Sequence, residues 1–347
     1  MTIQSECSLR SSRWLVWPIP LLIAFNVPSA YAAWNISIAD APATVIRGAD
    51  LYSTTVNQRV ATGDMVESGT TGILLLQDDT GNVMALGPGT RILIEPNARV
   101  ALLTGWLKIA HECTASACLA PAVETERGTL EIGDHAAAIV AAVSAPDPVT
   151  EMFSESGIQK LEVPANSTST PDNAVLAEGQ FVSIASNKPF DLKHRPSAAF
   201  LSGMPIAFGD ALMRVATTSK LRDGLPAPLR PVSFDDVAMW LMSGLPARRQ
   251  PGNSFAERFR PRLADAGFEQ HVEQNLSALP EWQGVLPAAK PKLATKLVKN
   301  NAIVKVAPSG GAERVPQAGS DASTENPTEP TKDSGNWFSR LFNGWRK

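Results

Sequence analysis

Residues 68–90 read SGTTGILLLQDDTGNVMALGPGT. The apolar run Gly72–Gln77 stops at Asp78-Asp79-Thr80-Gly81, and a second run, Val83–Gly87, stops at Pro88-Gly89. Asp and Gly are the residues that tight turns select: Asp bonds its own backbone, and Gly tolerates positive φ. Two short apolar runs on either side of such a turn form a β-hairpin. Neither run is long enough for an ordinary helix, so this stretch sets the fold class.

The same texture extends both ways. Upstream lie Ala43–Gly48 and the breaks Gly63-Asp64 and Ser68-Gly69. Downstream lie Thr90–Ile94, Arg99–Leu103, Gly105–Ala110, Gly128–Ile132, Ala136–Val143, Val149–Phe153, Gly157–Val163, Asn173–Leu176 and Gln180–Ile184. Strands recurring every 8–12 residues, with Gly, Asp, Asn and Pro between them, predict an all-β domain over residues 43–190, built either as a sandwich or as a solenoid.

Several of these turns and strand ends fall in a familiar order. They are Val45-Ile46-Arg47-Gly48, Gly63-Asp64, the 68–76 strand, Asp79–Val83, Leu86-Gly87-Pro88-Gly89-Thr90, Leu103–Leu107, Val123-Glu124-Thr125 and Leu176–Gln180. Together they resemble the FecR domain, the periplasmic module of the regulator of ferric citrate transport, over about residues 44–190. The resemblance implies an all-β fold that meets a protein partner in the bacterial envelope. Signalling members of that family carry a cytoplasmic anti-sigma segment ahead of one membrane span. Here about 13 residues precede the first apolar run, too few to bury a core, so the resemblance does not extend to that segment.

That apolar run, Trp14–Val27, follows Arg10 and Arg13 and ends in Pro28-Ser29-Ala30-Tyr31-Ala32. A basic start, a short apolar core and small residues at the cut describe a secretory signal peptide, residues 1–32, removed near Ala32. The alternative is an uncleaved anchor, although the run is shorter than the ~20 apolar residues of a spanning helix. Export to the periplasm agrees with the cysteines. Cys7 leaves with the signal, and Cys113 and Cys118 remain as a pair, which reads as one local disulfide. A metal site from His111, Cys113 and Cys118 is the alternative, and it lacks an evident fourth ligand.

The chain has 347 residues, 44% hydrophobic and 19% charged, enough for two ordinary domains. Its net charge of -3 resolves into +1 over residues 1–32, -9 over 33–287 and +5 over 288–347. An acidic body excludes the broad basic field of a nucleic-acid binder, so no nucleic-acid partner is expected.

Residues 196–287 change texture. Asp210–Ser219 is expected to form a short helix. Ser233 with Asp235 and Asp236 opens a second, ending at Gly244, and Asn253 or Ser254 caps a third, which Pro261 kinks or shortens and Gly267 ends. Phe268, Val272, Leu276 and Leu279 repeat the four-residue spacing, completing a small helical domain. Residues 288–335 lose both periods. They hold a Lys stretch (Lys290, Lys292, Lys296, Lys299, Lys305) and then acidic residues among Pro, Ser and Gly, a disordered linker. The final segment, 336–347, places Trp337, Phe338, Leu341, Phe342 and Trp345 on one helical face beside Arg340, Arg346 and Lys347. This amphipathic tail is the sequence's candidate binding element, for docking on a partner or on an anionic membrane surface or cell-wall polymer.

No chemistry announces itself. There is no Gly-x-Ser-x-Gly, His-Glu-x-x-His or Gly-x-x-x-x-Gly-Lys, and Gly87-Pro88-Gly89 lacks the third glycine of a dinucleotide loop. His111, His135, His194 and His271 are widely spaced. Asp78-Asp79 and Asp235-Asp236 occupy a turn and a helix start, where Asp serves structure. No catalytic residue, cofactor or metal is expected. The sequence thus predicts a mainly β, exported, non-catalytic protein that binds an envelope protein partner, in cell-surface signalling or assembly. A cell-wall or polysaccharide-associated binding protein is the first alternative, and an enzyme of unrecognised type the second.

Overall fold

The fold is taken from a computed structural model that describes residues 34–286, apart from 114–117, 145–146, 165–171, 187–189, 217–220, 223 and 251–253. The signal segment, the Lys stretch and the aromatic tail lie outside the described residues. The chain divides into a compact unit, Met1–Pro291, to which every described residue belongs, and a second, Lys292–Lys347.

The protein is mainly β. Along the chain come β1 (Trp34–Ala39), β2 (Thr44–Arg47), β3 (Asp50–Ser53), β4 (Arg59–Val60), β5 (Met65–Glu67), β6 (Leu74–Gln77), β7 (Asn82–Leu86), β8 (Arg91–Ile94) and β9 (Arg99–His111). Then follow β10 (Ala122–Glu124), β11 (Thr129–Ile132), β12 (Ala136–Val143), β13 (Val149–Ser156), β14 (Gln159–Val163), β15 (Asp172–Leu176), β16 (Phe181–Ala185) and β17 (Asp191–Lys193). Helix α1 (Ala198–Gly203), strand β18 (Arg230–Pro231) and helices α2 (Phe234–Met242), α3 (Phe255–Phe259) and α4 (Ala266–Gln274) complete the order.

Two sheets share one long strand. The first runs β4-β1-β6-β7-β9-β12-β13-β16-β17, all antiparallel. The second runs β18-β3-β2-β5-β8-β9-β10-β11-β14-β15, with β9 and β10 the one parallel pair. They close over a common core in which Val45, Leu76, Met84, Ile94, Val100, Leu107, Val140 and Val182 are buried. Of the two expected architectures, the structure is the sandwich.

Strand β9 replaces the two separate strands expected at 99–103 and 105–110. Val100 and Leu102 point into the core, as do Leu107 and Ile109, so the inward parity changes between them. The change is made at an irregular pairing between Arg91 and Ile92 and at Gly105, whose φ is +100°. A Cβ at Gly105 would lie 2.6 Å from the Thr90 backbone, which only glycine avoids.

Both sheets are also covered outside, for part of their width. On the second sheet, Ile46, Met65, Leu93, Ala101 and Leu103 join Phe234, Trp240, Phe255, Phe268 and Trp282 in one buried cluster. The helical segment therefore shares its core with the β sheet. Arg258 of α3 fastens it by donating to the carbonyls of Ile46, Gly48 and Gly63. Burial depresses this guanidinium to about 10, and the three carbonyls together with the Phe259 ring face hold the cation. Ser233 caps α2 in a reciprocal box with Asp236. As expected of Pro261, α3 is short: it ends at Phe259 and passes the chain into a 3-10 turn, Arg260–Ala264. One detail differs from expectation: Gly267 lies within the first turn of α4, which Asp265 caps, rather than ending a helix.

On the first sheet, Phe200 of α1 and Phe208 pack over Leu75, Val83, Ile139 and Phe181. Here the expected helix at 210–219 is replaced, over the described residues 210–216, by an extended strap. Lys108 of β9 donates to the carbonyls of Phe208 and Asp210, and Gln77 both donates to and accepts from the Val215 backbone. Backbone groups that a helix would pair internally are thus held by the sheet. The strap leads to Arg222, which pairs beside Gln58, and then to β18. Residues 194–232 so carry the chain from one outer face to the other.

Candidate functional site

The helical cover reaches β10, whose Ala122 and Glu124 are buried, and beyond it the outer face of β11, β14 and β15 is open. The sequence forces this: Thr129-Leu130-Glu131-Ile132 and Gln159-Lys160-Leu161-Glu162-Val163 alternate, so Leu130, Ile132 and Leu161 enter the core while Thr129, Glu131, Lys160 and Glu162 face outward. A shallow cleft of about 570 Å³ crosses this face, lined among others by Arg99, Thr129, Glu131, Lys160, Asn173 and Val175. Lys160 pairs with Glu131 across the strands at 3.3 Å. Val175 is 60% exposed.

The inner border of the cleft is a row of buried charge. Arg99 donates to Glu124 at 2.8 Å and lies 3.6 Å from Glu95. Glu124 accepts the Ala247 backbone N–H at 3.3 Å, and Glu95 accepts from Gln250 at 3.0 Å. Both carboxylates are nearly buried, while Arg99 is 41% exposed in the cleft. Burial, and then the neighbouring Glu124, push the Glu95 carboxyl above its usual range, and Arg99 offsets part of this. The helical segment is seated on this row, which also places Arg99 at the cleft wall.

The other candidates serve structure. Cys113 and Cys118 are joined as a disulfide with a Cα separation of 5.6 Å. The bond stands beside the β6–β7 turn, where the buried Asp78 carboxylate accepts from Thr80, Gly81 and Asn82, and Asn82 meets His111 at 2.6 Å. His271 bonds the Gly267 carbonyl and stacks on Phe234. Asp236 is occupied by Arg230 and Ser233, which hold its carboxyl down at about 2. Among the described residues no group of three His, Cys, Asp or Glu side chains is placed to hold a metal ion. The predicted tail face, Trp337, Phe338, Leu341, Phe342 and Trp345, lies outside the described residues. The open face was not singled out from the sequence, although alternation in β11 and β14, against the unbroken apolar runs of β7 and β12, is a signal that would have found it.

No family model matches the sequence, and neither does any curated protein. Two crystal structures overlap part of the backbone. Each is described as a "putative anti-sigma factor" from Parabacteroides distasonis. The one at 1.65 Å is 13% identical with a TM-score of 0.31, covering 38% of this chain and 59% of its own. The one at 2.50 Å is 14% identical with a TM-score of 0.32, covering 40% and 64%. The chain thus spans under two thirds of either, and at these scores the overlap assigns neither fold nor role. Among the described residues no helix is long and apolar enough to cross a membrane.

Proposed function

We propose that this is an exported, non-catalytic protein of the FecR-domain kind, and that it binds an envelope protein partner through the open face of β11, β14 and β15. The observation that carries the reading is the asymmetry of cover. Helices and strap bury the middle of the outer faces elsewhere, whereas this one is left free with Arg99, Glu131, Lys160 and Glu162 alternating in sign across a shallow cleft. Broad, mixed-charge, shallow surfaces suit protein partners better than small substrates, which favour deep apolar pockets. Export is supported by the disulfide and by the position of β1. Trp34, fully buried in the core, stands two residues beyond Ala32, so a cut there leaves every described strand whole. Signalling or assembly is the role such a partner would imply.

The test is capture from an envelope extract by the full chain and by a charge-reversed double variant, Glu131→Lys with Lys160→Glu. Both side chains are well exposed, so folding is expected to survive. A specific protein retained by the wild type and lost by the variant supports the reading. Equal capture by both, with thermal stability unchanged, refutes it.

A further inference from the structure

Among the described residues four strands end the two sheets. β18 carries Pro231, β4 is two residues long and is flanked by Arg222, and β17 is an exposed Asp-Leu-Lys with its own 2.9 Å ion pair. Short length, proline and charge are the ordinary protections of a free edge. β15, by contrast, is five residues, Asp172-Asn-Ala-Val-Leu176, with no proline and a single charge, at its first residue, and among the described residues it pairs only with β14.

From this we propose that β15 pairs antiparallel with β15 of a second copy about a two-fold axis at Ala174, joining the second sheets of two molecules. The register keeps like charges from facing one another. Val175 lies opposite Lys160, and Asn173 opposite Glu162, in β14. A two-fold at Ala174 sets Asn173 against Val175 of the other copy. Each outer cross-strand row then reads Glu162, Asn173, Val175, Lys160, with an anion from one copy and a cation from the other at its ends. No like charges stand opposite each other, which would be destabilising. At the centre Ala174 meets Ala174, small enough for close approach, and this residue already packs on the sandwich core, so pairing extends that core across the axis. The contact is isologous, as most homodimer contacts are. A five-residue edge buries less than the 1,200–2,000 Å² of a stable complex, so the dimer is weak and concentration-dependent. The proposal needs only the purified chain, and it stands or falls apart from the partner reading above.

Sedimentation velocity of the full chain over a hundredfold concentration range should show a monomer–dimer equilibrium. Val175→Lys should weaken it about tenfold or more, while Met213→Lys, on the exposed strap, leaves it unchanged. Register is tested by disulfide trapping in a Cys7→Ser background. Asn173→Cys mixed with Val175→Cys should give the mixed covalent dimer in excess of either like pair; both positions are exposed, so folding does not decide the outcome. A monomer at every concentration, a dimer indifferent to Val175→Lys, or no preference for the mixed pair would overturn the proposal.

Discussion

Replacing Lys108 by Met should loosen the strap and cost a measurable share of the fold's stability. The Lys108 side chain is 0% exposed, and its ammonium meets three acceptors: Glu155 Oε1 at 2.7 Å, the Phe208 carbonyl at 2.9 Å and the Asp210 carbonyl at 2.7 Å. Methionine keeps the length and apolar stem of the lysine but removes all three donations. Breaking a buried ion pair from one side costs roughly 3–5 kcal/mol. Glu155 keeps 26% exposure and can regain water, which places the cost near the lower end, about 3 kcal/mol. For a unit of this size each kcal/mol shifts Tm by about 2–4 °C, so a fall of about 6–12 °C is expected. Urea unfolding gives the free energy directly. Tryptic cleavage after Arg214, in the strap, should accelerate in parallel. Adding Glu155→Gln should recover part of the loss by neutralising the orphaned carboxylate. A Lys108→Met protein within about 0.5 kcal/mol of wild type, with unchanged cleavage, would refute the clamp.

Four further outcomes follow from named contacts. Gly105→Ala should destabilise by about 2 kcal/mol or more in urea, because φ is +100° and the added Cβ meets Thr90 backbone. Cys118→Ser should cost about 2 kcal/mol, the chain-entropy value of a loop this short, and reductant should reproduce the loss in the wild type. Asp236 is held down at about 2, so its contribution is present above the unfolded carboxylate range and is lost as pH falls toward 2; a wild-type minus Asp236→Asn stability difference should shrink over that window. Glu95 has the opposite sign. Its raised pKa means that its charge opposes folding at neutral pH, so Glu95→Gln should compare more favourably with wild type at pH 8 than at pH 5 by thermal unfolding.

Much of the sandwich was legible because its signals are local. The Asp78–Gly81 turn, the unbroken run Ala136–Val143 and the Ser233 cap each state their structure within a few residues. Of the strands that were missed, β3 and β4 are short and polar and β18 is defined by its distant partner β3, whereas β1, six residues with Trp34 and Ile36 buried, lies ahead of residue 43, where the expected β domain began. The strap at 210–216 carried a helix-like pattern, and Lys108 and Gln77, more than 100 residues away, overrode it. Gly105 looked like a break between two strands, whereas it is the point where one strand changes sheets. The candidate face was half legible at best: the unused alternation in β11 and β14 marks one side of these strands as wet, but not that the helices stop short of it. That boundary depends on Glu124 meeting Ala247 and Glu95 meeting Gln250, contacts across more than 120 positions.

The most direct test of the open face is photocrosslinking in living cells, with a photoreactive residue placed singly at Glu131, Lys160, Ile206 or Met213. All four side chains are well exposed, the first two on the face and the last two in the segment across the other sheet. The account predicts adducts with a discrete second envelope protein from positions 131 and 160 and none from 206 or 213, with self-adducts told apart by mass. Adducts from the strap positions alone, or none from the face, would contradict it.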